Sequence, residues 1–224
     1  MKPDLTVNAS LRERITRNLA QFSARRIDDS GLKRAAVAIA IVNRERPPEF
    51  AGLTFNEGDE NQAAFLLTIR APRLSSHARQ RAFPGGRIDA GETAEEAALR
   101  EMHEEVGVAM PPTRILGRLD DYATRSGYVM TPLVVWVGEN PTMQANPEEV
   151  EAIHRIPLAE LLRDDSPILE PIPESEHPVL KLPFGIDEYV AAPTGAIAYQ
   201  FGQVGLLGRD TRVAHYEQPY FAWK

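Results

Sequence analysis

Residues Phe83–Val108 read FPGGRIDAGETAEEAALREMHEEVGV. Pro84 fixes φ and lacks an N–H donor, and Gly85-Gly86 tolerate backbone angles closed to other residues, so the stretch opens on a turn. Thr93 and Glu96 have the Thr-x-x-Glu spacing of a capping box, which predicts a helix starting at Thr93. Gly107 stands where a left-handed residue would end it. On that helix Leu99, Met102 and Val106 share one side and can dock onto a core. Glu101, Glu104 and Glu105 share another, within roughly a 100° arc.

Like charges three and four residues apart on a helix repel one another and cost stability. A cation between them reverses that penalty. Carboxylates, backbone carbonyls and water suit hard divalent ions such as Mg²⁺, which is usually shared with substrate phosphates. On these residues alone, a plain solvated acidic face competes with a metal site.

The flanking residues add a pattern: Gly86, five residues, Glu92, seven residues, then Arg100-Glu101-Met102-His103-Glu104-Glu105-Val106-Gly107-Val108. This is similar, at every defined position, to the Nudix box G-x5-E-x7-R-E-U-x-E-E-x-G-U, where U is aliphatic. The resemblance implies an α/β fold, an α/β/α sandwich with a mixed central sheet and a catalytic loop–helix–loop. It also implies Mg²⁺ or Mn²⁺ as cofactor and cleavage of a diphosphate linked to another moiety by water attack at phosphorus. By the same resemblance, Glu101, Glu104 and Glu105 with the Gly86 carbonyl are the metal ligands. Arg100 pairs with Glu92 to brace the loop, and Glu101 is a candidate base. An extra carboxylate from a later loop is also implied, with Asp120, Asp121, Glu148, Glu149 and Glu151 as candidates.

At 224 residues, one buried core with added elements is expected, a single domain over 1–224. Its parts are an N-terminal helical extension (10–32), the box (83–108) and a divergent C-terminal region (165–224). The formal net charge of −7, with no dense Lys/Arg run, argues against nucleic acid or an anionic membrane as partner. The absence of cysteine excludes disulfides, thiol nucleophiles and Cys-ligated zinc, and suits a cytoplasmic location. No signal core or spanning apolar run is present.

Ser10 and Glu13 form a second candidate capping box, and Leu11, Ile15, Leu19 and Phe22 follow at helical spacing, predicting an amphipathic helix over about 10–24. A homodimer is one arrangement that helix could serve. Residues 35–42 and 63–69 read as buried strands, with a polar loop over 43–61 between them. Residues 115–119 and 128–137 read as strands joined at Arg125-Ser126-Gly127, with Pro132 pushing part of the second to an edge or bulge. A strand over 150–156, a short helix from Pro157 to Leu162, a proline-dense loop over 166–183 and a strand over 196–201 complete the reading. The aromatic tail is expected to cap the core or a partner subunit.

Before the box, LLTIRAPRLSSHARQRAFPGG (66–86) resembles the corresponding segment of coenzyme A diphosphatases, L-L-T-x-R-[S/A]-x-x-L-R-x-H-x-G-Q-V-[S/A]-F-P-G-G. Leu66, Leu67, Thr68, Arg70, Ala71, Leu74, His77, Gln80 and Ala82-Phe83-Pro84-Gly85-Gly86 match, and the likeness extends over about residues 33–163. It implies substrate contacts at Arg70, His77, Phe83 and Gly85, with coenzyme A or a derivative as substrate, and Arg79 is a candidate contact standing in for the arginine that Ser75 replaces. Ser75, Arg79 and Arg81 depart from the pattern, and the family's C-terminal segment is not visible. Hydrolysis of ADP-ribose or NADH, or a non-catalytic ligand-binding role, are the alternatives. Arginine suits this place on chemical grounds, since guanidinium groups pair bidentately with phosphate oxygens.

Overall fold

The computed structural model describes residues 3–28, 31–44, 53, 58–72, 80–186 and 188–223. The fold is organised by β1 (Lys33–Asn43), whose side chains alternate between two cores. Val37, Ile39 and Ile41 face one core, and Ala36, Ala38, Ala40 and Val42 face the other. The alanines on the second face let a helix approach closely. That helix is α2 (Ala94–Val106), which lays Ala97, Ala98, Leu99, Met102 and Val106 onto them.

On the first face lies α1 (Ala9–Gln21), burying Leu11, Ile15 and Leu19. Each such side chain contributes about 1.5–3 kcal/mol relative to exposure. The capping residue of α1 is Asn8, whose side chain accepts from the Leu11 N–H at 2.8 Å, so the helix begins ahead of the Ser10 box. It also ends early. The Arg25 and Ile27 N–H groups bond to Asp120 and Asp121 at 2.7 and 2.9 Å, which draws residues after Phe22 into an extended path. The helical extension therefore stops at Gln21 and does not reach 32.

The main sheet is mixed. β1 pairs parallel with β7 (Tyr128–Gly138) and antiparallel with β2 (Ala63–Arg70). Beyond β2 lie β3 (Arg81–Ala82) and β8 (Val150–Pro157), while β4 (Gly85–Arg87) pairs with the N-terminal half of β1. Strands β5 (Ile115–Arg118) and β6 (Tyr122–Ala123) flank β7. Helices on both faces make this an α/β/α sandwich. Pro132 lies inside the sheet, opposite Val37, and not at an edge. It is tolerated because it faces the break between β5 and β6, where its carbonyl accepts from the Leu119 N–H at 3.1 Å.

Two expectations for the C-terminal region are overturned. The proline-dense segment forms a sheet of its own, from β9 (Ile168–Ile172), β10 (Ser175–Phe184) and β11 (Glu188–Ala191), in the order β11-β10-β9. Residues Thr194–Phe201 form a helix, α3, running into a π-helical turn over Gly202–Leu206. Seven of its eight residues are buried, so it lacks the polar stripe that distinguishes a helix from a strand in sequence. Within the expected loop at 43–61, Asp59–Asn61 form a 3₁₀ turn, and most of the remainder lies outside the described residues. The tail packs back on the core: Val213 is buried, and the Tyr122 hydroxyl donates to the Tyr216 carbonyl at 2.8 Å.

Candidate active site

Thr93 caps α2, with the reciprocal Glu96 bond present, and Gly107 closes it at φ +76°. The helix is thereby fixed in phase, with Leu99, Met102 and Val106 inward and Glu101 and Glu105 turned toward the Gly85-Gly86 loop. Glu105 is 2 % exposed and accepts the Gly85 N–H at 3.3 Å. A Cβ at Gly86 would push the Glu101 carboxylate from its place, so the glycine lets that side chain lie against the loop.

Arg100 holds the loop to the helix. Its Nε and Nη2 meet Glu92 at 2.8 and 3.0 Å, and Nη2 also donates to the Arg87 carbonyl at 3.1 Å. Nη1 bonds Glu101 and Glu104 at 2.9 and 3.0 Å. Glu104 is exposed and turned to Arg100.

Another acid takes the third place. One carboxylate oxygen from each of Glu101, Glu105 and Glu149 lies within 4.8 Å of the others. Glu149 is brought there by the end of α2, whose orphan carbonyls at Glu105 and Val106 accept the Asn146 and Gln144 N–H groups, each at 3.0 Å. The Glu149 carbonyl in turn accepts from Ala71 at 2.8 Å. Of the other later acids, Asp120 and Asp121 are buried and engaged in structural bonds, and Glu148 and Glu151 are exposed.

Burial pushes the Glu105 carboxyl up to about 8, and burial likewise raises Glu101. Arg70, at the end of β2, stands 3.9 Å from Glu105 and offsets only part of that cost. Oxygen donors that crowd together, resist ionisation and pack against a glycine cradle fit a hard divalent ion.

Beside this cluster opens a cavity of about 700 Å³. Of the residues expected to contact substrate, Arg70, Phe83 and Gly85 line this cavity, and His77 and Arg79 lie outside the described residues. Phe83 is 2 % exposed, and its ring packs on Phe65 with centroids 5.9 Å apart. Arg81, Arg87 and Tyr128 also line the cavity, with Arg87 Nε donating to the Tyr128 hydroxyl at 2.8 Å. The far wall is β11 and the turn into α3, which no local signal in the sequence connects to the box.

The NUDIX domain model matches residues 45–174. The chain belongs to the Nudix family. It is 39% identical over 130 residues to an uncharacterized Nudix hydrolase NudL of Yersinia enterocolitica, covering 58% of each chain. To a NudL of Klebsiella pneumoniae it is 36% identical over 132 residues, covering 58% of this chain and 60% of the relative. The chain thus spans less than two thirds of the length of these relatives. Among solved structures, a MutT/nudix family protein from Enterococcus faecalis superposes with TM-score 0.45 at 20% identity, covering 82% of this chain and 58% of that one. A MutT Nudix hydrolase from Burkholderia pseudomallei gives 0.43 at 17% identity, covering 75% and 96% respectively. Residues 175–223 of this chain, including β11, lie beyond the matched domain. Among the described residues no helix is long and apolar enough to cross a membrane.

Proposed function

We propose that this Nudix chain is a metal-dependent hydrolase that cleaves the diphosphate bond of a nucleoside diphosphate linked to another moiety, with coenzyme A or a derivative as substrate. The observation that carries this reading is the Glu101–Glu105–Glu149 cluster beside an arginine-lined cavity, joined to it through Gly85 and Arg70. These three side chains, with the Gly86 backbone, would hold Mg²⁺ or Mn²⁺. A divalent ion bound there neutralises charge on the phosphates and polarises the bridge to be broken.

The chain's own groups supply the rest. Arg70, which lines the cavity 3.9 Å from Glu105, would pair with a phosphate oxygen, and Arg81 and Arg87 add positive charge along the cavity. Arg100 and Glu92 keep the loop and helix in register, and Glu104 trims the charge of Arg100 from outside. Glu101 is the assigned base. Arg100 orients its carboxylate by holding one oxygen at 2.9 Å.

The test is hydrolysis of coenzyme A, ADP-ribose and NADH with Mg²⁺ or Mn²⁺, scored for AMP, 3′,5′-ADP and phosphopantetheine. Release of 3′,5′-ADP and phosphopantetheine, lost on adding EDTA, supports the proposal. Preferential cleavage of ADP-ribose or NADH replaces the substrate, and nucleotide binding without turnover replaces the function.

A further inference from the structure

β11 is the outermost strand of the small sheet, and the cavity lies on its unpaired side. Glu188, Tyr189, Val190 and Ala191 all line the cavity, whereas no residue of β10 does. The strand is therefore part of the cavity wall along its whole length.

The register fixes which backbone groups point inward. Leu182 pairs with Val190, and the Ala192 N–H reaches the Leu180 carbonyl at 2.9 Å. Pro183 lies opposite Tyr189 and has no N–H to give, so that pair is a non-bonded one. In an antiparallel ladder bonded and non-bonded pairs alternate. Glu188, Val190 and Ala192 thus spend their N–H and C=O groups on β10, while those of Tyr189 and Ala191 point to the cavity. Among the described residues no backbone hydrogen bond reaches the Tyr189 or Ala191 groups from that side. Opposite them stands β3, an edge strand of the main sheet, and Arg81 and Glu188 bridge the two edges at 2.9 Å.

We infer that the free edge of β11 is a specificity surface that reads, by strand-like hydrogen bonding, an extended arm carrying secondary amides on the moiety linked to the diphosphate. This rests on the diphosphatase reading and deepens it. Outward N–H and C=O groups repeat every second residue, at a spacing of roughly 6.6 Å. An extended amide chain matches such a row, as peptides do when they add to a sheet edge. A single nucleobase would engage only part of it.

Two measurements test this. With the wild-type enzyme, coenzyme A is compared with an analogue whose arm amides are replaced by esters, which removes the ligand's N–H donors. With Ala191→Pro, one outward N–H is deleted at an edge position where proline is tolerated. The ester analogue should raise KM roughly three- to tenfold with kcat held, the span of one or a few neutral hydrogen bonds. Ala191→Pro should raise KM for coenzyme A similarly while leaving KM for ADP-ribose unchanged. Equal KM for the amide and ester substrates on the wild-type enzyme would overturn the inference, whatever the variant does. A rise in KM for both coenzyme A and ADP-ribose in Ala191→Pro counts against it too. Failure of the wild-type enzyme to cleave any diphosphate is a different result, and removes the underlying diphosphatase reading.

Discussion

The backbone N–H of Asn146 bonds to the carbonyl of Glu105 at 3.0 Å, and this seats Glu149 across from the acidic face of α2. A helix end that needs partners for its carbonyls is thereby used to deliver a third carboxylate. Glu149→Gln should weaken Mg²⁺ binding by tenfold or more and lower kcat, on the scale by which groups around a metal alter its affinity. Isothermal titration with Mg²⁺ and initial rates would check it. Unchanged affinity would remove Glu149 from the ligand set.

Glu105→Gln should lower kcat by several orders of magnitude, because a charged ligand is exchanged for a neutral one. The fold should survive. With its carboxyl pushed up to about 8, Glu105 is mostly protonated near neutral pH without metal, and glutamine is close to isosteric with it. Circular dichroism and melting should match the metal-free wild type while turnover is lost. Retention of most activity would sink the site.

The same shift makes metal-free stability fall with rising pH. Glu105 has an ordinary value near 4.5 when unfolded and about 8 when folded, so between these the folded state binds more protons. Its contribution is fully present below about pH 4.5 and lost as pH rises through about 8. Mg²⁺ competes with that proton, so stabilisation by Mg²⁺ should grow across the same window. Melting curves at several pH values, with and without Mg²⁺, test both trends, and Glu105→Gln should flatten them.

Asp120 accepts from the Arg25 N–H at 2.7 Å, from Gln200 at 2.9 Å and from Arg212 at 2.7 Å. It thus ties the segment after α1 and the C-terminal region to the main sheet. Asp120→Ala should cost about 3–5 kcal/mol by stranding these partners. Urea denaturation would read this as a lower midpoint with an unchanged slope. A loss under 1 kcal/mol would show that the partners find water instead.

What the sequence settled was local. The capping box, the left-handed glycine and the phase of Leu99, Met102 and Val106 are set by neighbours a turn or two away, so α2 and the face that carries Glu101, Glu104 and Glu105 were readable in advance. The Arg100–Glu92 pair was legible through the likeness to the Nudix box. What tertiary structure decided was which distant groups complete the site. Glu149 looked no different from Glu148 or Glu151 until the α2 carbonyls drew its loop in. Glu104, on the expected face, is drawn outward by Arg100. The cavity wall at β11 depends on strand pairing across the C-terminal region, and α3 hid its period by being buried on nearly every side. Capping and helical phase are near-neighbour physics and leave a mark in the residue string. Pairing and burial between distant segments are settled only when the chain closes on itself.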